Sequence, residues 1–337
     1  MKFKFYLVSL LTTLFTTIAQ DATKAVATDS AAIKKDTCYW KNSLKAGLNM
    51  SGSAFSDNWK GGGVNNFNYL LLFYGTANYK KEKDSWDNVL DLQFGQIITK
   101  QAPEFRKSQD RIMLDSKYGR AINKNWNLFS SFNAQSFFTA GYKYVSKLGP
   151  VDPNAKIKDT AVYVSNFLNP AYFTEALGFE YKPKDWYYVR IGVLNAKQTL
   201  VTKGFKVSEV EKNYGVTRGQ SWRNEFGFFS LLAAADKDIR KNVNLKVKYQ
   251  MFFSNVDYFF RRDKIKAKFT DEAVKKAYDR IESYVDQRLD VTLTAKLTKY
   301  ITTSFSYIGL YDFDQDKNTQ HAHNLQVGLL YTVKNHK

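Results

Sequence analysis

The stretch NVNLKVKYQMFF (residues 242–253) alternates apolar and polar side chains over its whole length. Successive side chains of a β-strand point to opposite faces, so a period of two is typical of a strand with one apolar and one polar face. The apolar face carries Val243, Leu245, Val247, Tyr249, Met251 and Phe253, and the polar face carries Asn244, Lys246, Lys248 and Gln250. The segment is therefore predicted to be a strand between two different environments.

The same pattern recurs along the chain, as in RLDVTLTAKLTK (288–299) and HNLQVGLLYTVK (323–334). Short and long connections alternate between such segments, and this alternation is typical of outer-membrane barrels, which have tight periplasmic turns and long external loops. The pattern predicts twelve strands, at roughly 43–51, 66–79, 86–97, 111–121, 126–137, 171–181, 186–196, 222–235, 242–254, 287–298, 301–311 and 323–334.

These features predict an all-β fold, a transmembrane antiparallel up-and-down β-barrel of about 12 strands with long external loops and short periplasmic turns. Aromatic residues lie beside the short turns, where amphipathic rings suit the headgroup level of a bilayer, although ordinary hairpin stacking also favours them. They are Tyr79, Trp86, Tyr118, Trp126, Tyr181, Trp186, Tyr300 and Tyr331.

Composition agrees with this fold and excludes several others. The 337 residues are 44% hydrophobic and 16% aromatic, which is too apolar for a disordered chain, and the formal net charge is +18. No stretch after the first twenty residues has 18 consecutive apolar positions, so no transmembrane helix is expected. The single cysteine, Cys38, excludes an internal disulfide and a multi-cysteine metal site.

The N-terminus, MKFKFYLVSLLTTLFTTIAQ, has the charged start, apolar centre and small residues of a cleaved signal peptide. We expect a signal peptide at 1–19, a periplasmic N-terminal segment at 20–41 and the barrel at 42–337. The protein is therefore expected in the cell outer membrane, with the lipid bilayer as its partner.

Five segments resemble an outer-membrane β-barrel family of Bacteroidetes that is catalogued as domain of unknown function 3078. They are FSDNWKGGG (55–63), WDNVLDLQFGQ (86–96), EFRKSQDRIMLDSKYG (104–119), SNFLNPAYFTEALGFEYKP (165–183) and KDIRKNVNLKVKY (237–249). The resemblance covers essentially the whole mature chain. It implies the barrel fold and the outer membrane but no activity. The chain departs from the family pattern at 255–286, where its loop is longer and more basic.

The leading functional hypothesis is a non-enzymatic barrel, either a small-solute pore or a structural or interaction component, with no cofactor and no metal. The alternative is a surface hydrolase that uses His321 or His323 at the external rim, near Ser165, Asn166 or the acids of DFDQD (312–316). Histidines in polar loops are usually only solvated, so this alternative ranks second.

The polar face of the strands predicts a charged lumen, which leaves open a water-filled pore and a bore plugged by salt bridges. On the ninth and tenth predicted strands, this face carries four cations, Lys246, Lys248, Arg288 and Lys296, and only one acid, Asp290. This excess of cations predicts a positive wall and an anion-leaning pore. The predicted lumen-facing charges are Asp91, Asp115, Lys117, Glu180, Arg190, Arg223, Glu225, Lys246, Lys248, Arg288, Asp290 and Lys296.

The long connection after strand nine carries a basic run and a predicted helix. The helix has Thr270 as its N-cap, and Tyr278 and Ile281 share its apolar face. Export and barrel topology argue against nucleic acid, so phosphate-bearing lipopolysaccharide is the anionic partner predicted for the run. The run consists of Arg261, Arg262, Lys264, Lys266 and Lys268.

Overall fold

The computed structural model describes residues 38–56, 58, 60, 64–100, 102–146, 159–202, 213–216, 219–268, 272–298 and 300–334. The chain divides into Met1–Cys38 and a compact unit, Tyr39–Lys337. The predicted signal peptide (1–19) and residues 20–37 of the N-terminal segment lie outside the described residues. Among the described residues, no helix has both the length and the apolar character needed to cross a bilayer.

Fifteen strands occur within the described residues, and most coincide with the alternating segments. Their bounds are β1 Trp40–Ser53, β2 Asn66–Lys81, β3 Asp84–Thr99, β4 Ala102–Ala121, β5 Trp126–Ser136, β6 Gly141–Ser146, β7 Asp159–Ser165, β8 Ala171–Lys184, β9 Tyr187–Leu200, β10 Trp222–Gly227, β11 Phe229–Arg240, β12 Val243–Phe253, β13 Val285–Lys296, β14 Ile301–Asp312 and β15 Asp316–Lys334.

The sheet closes on itself into an antiparallel barrel. Its order is β1-β2-β3-β4-β5-β8-β9, then β11-β12-β13-β14-β15, and β15 pairs with β1 through partners such as Leu48 and Leu329. The short β10 and the following β11 both pair with β9 and together form one wall strand, interrupted at Phe228. The described chain thus has a twelve-stranded barrel wall, as the sequence predicted.

Structure outside the wall lies in the long connections. Strands β6 and β7 form a separate hairpin. After β12 come a π-helix at Asp257–Arg261, α-helices at Arg262–Lys266 and Glu272–Ala277, and a 3₁₀ helix at Ile281–Tyr284. The prediction of one helical face holding both Tyr278 and Ile281 was wrong, because the helix ends at Ala277, Tyr278 is fully buried and Ile281 is 44% exposed. The predicted N-cap, Thr270, lies outside the described residues.

The outer face of the barrel is apolar and exposed. On β15 the exposed large hydrophobic side chains are Leu325, Val327, Leu329, Tyr331 and Val333, which form the apolar face predicted from the sequence. Such a belt is unfavourable in water but is what a bilayer-spanning barrel presents to hydrocarbon. The structure therefore shows a transmembrane barrel.

Aromatic rings border the apolar belt at both ends of the barrel. At the end with the short connections, hereafter the turn end, the rings of Trp126 and Tyr181 lie 5.0 Å apart. Toward the opposite end, hereafter the loop end, Phe173 stacks on Phe132 at 6.2 Å and on Trp222 at 6.0 Å. Two aromatic borders are the pattern expected where strands cross the two bilayer interfaces.

A β-bulge in β9 changes which side chains face inward. Leu177 pairs with Leu194 and Gly178 pairs with Gly192, so β9 contains one extra residue, Val193. A Cβ added at Gly178 would overlap the carbonyl oxygen of Ile191, so the close approach of β8 and β9 requires glycine there.

The side chain of Asn195 ties the bulge together inside the barrel. Its Nδ2 donates to the carbonyl oxygens of Gly192 and Gly227, and its Oδ1 accepts from the hydroxyl of Ser230 at 2.6 Å. Beyond the bulge, Lys197 and Thr199 join the buried residues of the interior. The bulge thus places Lys197 in the site described next.

Candidate functional site

The barrel interior is crossed by ion pairs between strands that are not neighbours. The ammonium of Lys117 on β4 lies 3.0 Å from both carboxylate oxygens of Glu180 on β8, although β5 separates the two strands. Lys248 on β12 lies 3.9 Å from Asp115 on β4, across the barrel. Contacts of this kind are only possible between side chains that face the interior.

Glu180 is the centre of the pairs toward the turn end and is 1% exposed. One carboxylate oxygen accepts from Arg190 Nε at 2.7 Å, and the other accepts from Asn127 Nδ2 at 3.1 Å. Lys117 also pairs with Asp87 at 3.0 Å. The buried acid is therefore fully hydrogen-bonded, which offsets the cost of taking its charge out of water.

The predicted positive wall on β12 and β13 is neutralised by nearby acids, of which only Asp290 had been counted on that wall. Lys246 pairs with Asp236 of the adjacent β11 at 2.8 Å, and Arg288 pairs with Asp290 at 2.8 Å. Lys296 is the exposed last residue of β13 and makes no ion pair with any described residue. The wall was predicted from β12 and β13 alone, whereas Lys246 and Lys248 pair with acids of two other strands, Asp236 on β11 and Asp115 on β4.

Arg111 on β4 is an incompletely paired cation near the middle of the bore. Its Nη1 lies 3.5 Å from Asp91 on β3, its Nη2 lies beside the sulfur of Met113, and its buried Nε has no hydrogen-bond partner. The predicted charge Asp91 thus has a partner, Arg111, that the sequence analysis did not select.

A second cluster of ion pairs lies toward the loop end. Lys197 contacts Asp286 at 2.6 Å, Asp312 at 3.0 Å and Glu225 at 3.9 Å. Arg223 pairs with Glu225 at 3.0 Å and also contacts Asp314. Arg223 and Glu225 were predicted here, but Lys197, Asp286, Asp312 and Asp314 were not. The bulge in β9 and the pairing of β13 from Val285 onward bring them together.

A small apolar core covers this cluster at the loop end. Ile265, Tyr278, Tyr284 and Phe313 pack together, and the Tyr278 hydroxyl donates to Asp314 Oδ1 at 2.5 Å. Burial, followed by the nearby Asp314 carboxylate, raises the pKa of Tyr278, so this phenol remains a donor. The helical segment is thereby fixed to the side chains that close the loop end of the bore.

A chamber of about 600 Å³ lies between the two groups of ion pairs. This volume is within the range of small-molecule sites, roughly 300–1,000 Å³. Its charged lining comprises Asp115, Arg190, Lys197, Asp286, Arg288 and Asp312, and its uncharged polar and aromatic lining includes Asn133, Gln135, Tyr172, Gln250, Phe252 and Gln320. We take this chamber and its ion pairs as the candidate functional site.

The histidines of the hydrolase alternative lie elsewhere. His321 and His323 lie on the same outward face of β15 as Leu325. The Nδ1 atom of His321 lies 2.7 Å from the Tyr307 hydroxyl. The acids Asp312 and Asp314 face the interior, where they contact Lys197 and Arg223. Among the described residues, no group of three or more His, Cys, Asp or Glu side chains is arranged to hold a metal ion.

The basic run is partly neutralised by neighbouring acids. Arg261 pairs with Asp257 at 2.9 Å, Arg262 with Asp263 at 3.8 Å and Lys266 with Asp279 at 2.6 Å. Among the described residues, Lys264 and Lys268 have no ion pair. The run is therefore less cationic as a surface than its sequence indicated.

Part of the chain is similar to a known family. Residues 50–142 match the model of the family described as "Protein of unknown function (DUF3078)". No curated protein matches the chain.

Many solved structures are similar to the chain, and three serve as examples. They are the translocator domain of autotransporter NalP from Neisseria meningitidis (10% identity, covering 96% of this chain and 95% of that one, TM-score 0.37), an outer membrane channel from Pseudomonas putida F1 (8%, 91% and 100%, 0.36) and the NanC porin (8%, 85% and 98%, 0.35). Likenesses at these scores say nothing about the activity of this chain.

Proposed function

We propose that the chain is a non-enzymatic outer-membrane protein of the DUF3078 family over its whole mature length, exported through a cleaved signal peptide. The closed antiparallel wall satisfies the backbone hydrogen bonds without an edge, and the apolar outer face between two aromatic borders suits hydrocarbon. In this proposal the turn end faces the periplasm and the loop end faces the exterior.

Protease-cleavable tags would test this orientation. A tag inserted at 152–156, between β6 and β7, should be cleaved on intact cells, and a tag at 182–185, where β8 ends before β9, should be cleaved only after the cells are opened. Cleavage at 182–185 on intact cells would reverse the orientation.

We further propose that the bore is closed to free diffusion in this conformation and that its chamber admits a small polar solute. The observation that carries this proposal is the set of ion pairs that cross the interior, above all Lys248 with Asp115 and Lys197 with Asp286 and Asp312. These contacts hold opposite walls together. The chamber between them is much larger than the voids of a tightly packed protein interior, which are about the size of a water molecule.

Single-channel recordings in planar bilayers test the closed bore. The wild type should show little or no steady conductance, and Lys248→Ala/Asp115→Ala should conduct more, because the pair between opposite walls is removed. The matched control is Lys246→Ala/Asp236→Ala, which removes a pair along the wall and should leave conductance near the wild-type level. A large steady wild-type conductance that neither variant changes would contradict the closed bore.

Ion selectivity of the opened variant is a further part of the proposal. The anion preference expected from the sequence depended on a positive wall, and Asp236 and Asp290 neutralise that wall. We therefore propose a reversal potential near zero under a KCl gradient, in place of an anion-leaning pore.

Lipopolysaccharide remains a proposed partner in the outer leaflet. Within the basic run, Lys264 and Lys268 are the residues without an ion pair among the described residues, so they are the cations available to its phosphates.

A further inference from the structure

The charged groups that line the chamber are already paired with other side chains, the loosest pair being that of Asp115 with Lys248 at 3.9 Å. Lys197 is held by Asp286 and Asp312, Arg190 by Glu180, and Arg288 by Asp290. A charged solute that used any of these groups would have to separate a pair that is shielded from bulk water, and breaking such a pair is costly. The lining therefore offers little to a simple anion or cation.

Several uncharged polar groups of the lining are, by contrast, available to hydrogen-bond a solute. The side-chain amides of Asn133 and Gln135 on β5 and of Gln250 on β12 make no hydrogen bond with any described residue, and neither does the hydroxyl of Tyr172 on β8. Gln320 on β15 adds a fourth amide without a hydrogen-bond partner among the described residues. Because β5, β12 and β15 are well separated around the barrel, the amides approach the chamber from three sides.

The amides and the Tyr172 hydroxyl favour a ligand that carries hydroxyl groups. A side-chain amide offers two N–H donors and a carbonyl acceptor, and a hydroxyl both donates and accepts. A ligand that carries many hydroxyls can therefore satisfy the amides and Tyr172 without disturbing an ion pair. The rings of Tyr172 and Phe252 add apolar surface for the C–H groups of such a ligand.

We propose that the chamber binds a neutral, polyhydroxylated solute of mono- or disaccharide size through Asn133, Gln135, Gln250 and Tyr172. This inference rests on the proposed function, because the solute must reach the interior of the barrel. It specifies the class of solute that the proposed function left open.

Titration calorimetry on the full mature chain, refolded in a detergent without a sugar headgroup, would test the inference. Sucrose is the neutral probe and sodium gluconate the charged one. The wild type should bind sucrose more tightly than gluconate, and Gln135→Leu and Gln250→Leu should each weaken sucrose binding about five- to tenfold, the effect of one lost hydrogen bond.

Gln326→Leu is the matched control, because Gln326 is an amide of β15 that accepts a hydrogen bond from Asn49 and does not line the chamber. It should leave sucrose binding unchanged. If the leucine variants do not fold, Gln135→Asn and Gln250→Asn shorten the amides while keeping their polarity and should also weaken binding.

Three results would overturn the inference: sucrose fails to bind, gluconate binds more tightly than sucrose, or the control loses as much affinity as the chamber variants. A wild-type barrel that is closed in bilayers but does not bind sucrose would refute this inference and leave the proposed function standing. A barrel that conducts freely while binding sucrose as described would refute the closed bore alone.

Discussion

Replacing Leu325 with arginine should destabilise the inserted barrel by about 2–4 kcal/mol, the cost of a cation on the lipid-facing side of a barrel near the bilayer midplane. Leu325 is 75% exposed on the outer face. It pairs with Phe305, which in turn pairs with Leu293, and both are also exposed on that face. On β15 it lies between His321 toward the loop end and Tyr331 toward the turn end, well inside the apolar belt.

The adjacent residue provides the control for this prediction. Asn324 lies on the interior face of β15, opposite to Leu325. Asn324→Arg therefore places the same charge in the interior instead of in lipid and should cost much less. Urea titrations of the refolded protein in lipid vesicles, followed by the shift in gel mobility between heated and unheated samples, would measure both variants. Equal losses of stability at 324 and 325 would show that the two faces of β15 are assigned wrongly.

Replacing Lys197 with methionine should cost about 3–5 kcal/mol, the typical effect of removing one partner of a buried ion pair. Lys197 is buried and is the shared partner of Asp286 and Asp312, and Asp312 is only 3% exposed. Without the ammonium, two carboxylates would remain close together in the interior with no cation between them. The variant should therefore unfold at a lower urea concentration than the wild type.

Two further variants separate this effect from a general loss of packing. Lys197→Met/Asp286→Asn/Asp312→Asn removes the uncompensated charges and should recover much of the lost stability. Lys246→Met breaks the Lys246–Asp236 pair, whose side chains are about half exposed, and should cost less than about 1 kcal/mol. If Lys197→Met and Lys246→Met lose similar stability, the loop-end cluster does not have the role described here.

The wall of the barrel was predictable because its signal is local. In segments such as 242–253 and 323–334, the alternation itself states which side chains meet lipid and which meet the interior, and the structure follows it. Loop lengths, which are equally local, indicated the antiparallel order of neighbouring strands. The predicted charges Lys117, Glu180 and Arg190 accordingly lie together inside the barrel.

The candidate site was less predictable, because its contacts join distant parts of the chain. Lys197 lies 89 residues from Asp286 and 115 from Asp312, and only the closed sheet brings these strands to opposite sides of one bore. The charge of the wall on β12 and β13 depends on the same kind of contact: the partner of Lys248 is Asp115, which is reached across the interior. The alternation within one strand carries no information about the side chains on the opposite wall.

The sequence by itself therefore determined the strand count and the two faces of the wall, since both follow from side-chain alternation within single strands. Only the tertiary structure decided that Lys197 faces inward, because the extra residue at Val193 shifts the alternation and can form only where Gly178 allows β8 and β9 to approach closely. It also decided that the charges form pairs around a chamber lined by amides that have no side-chain hydrogen bond within the described part of the chain. Pairing and cavity depend on the curvature and closure of the whole sheet, which no single strand encodes.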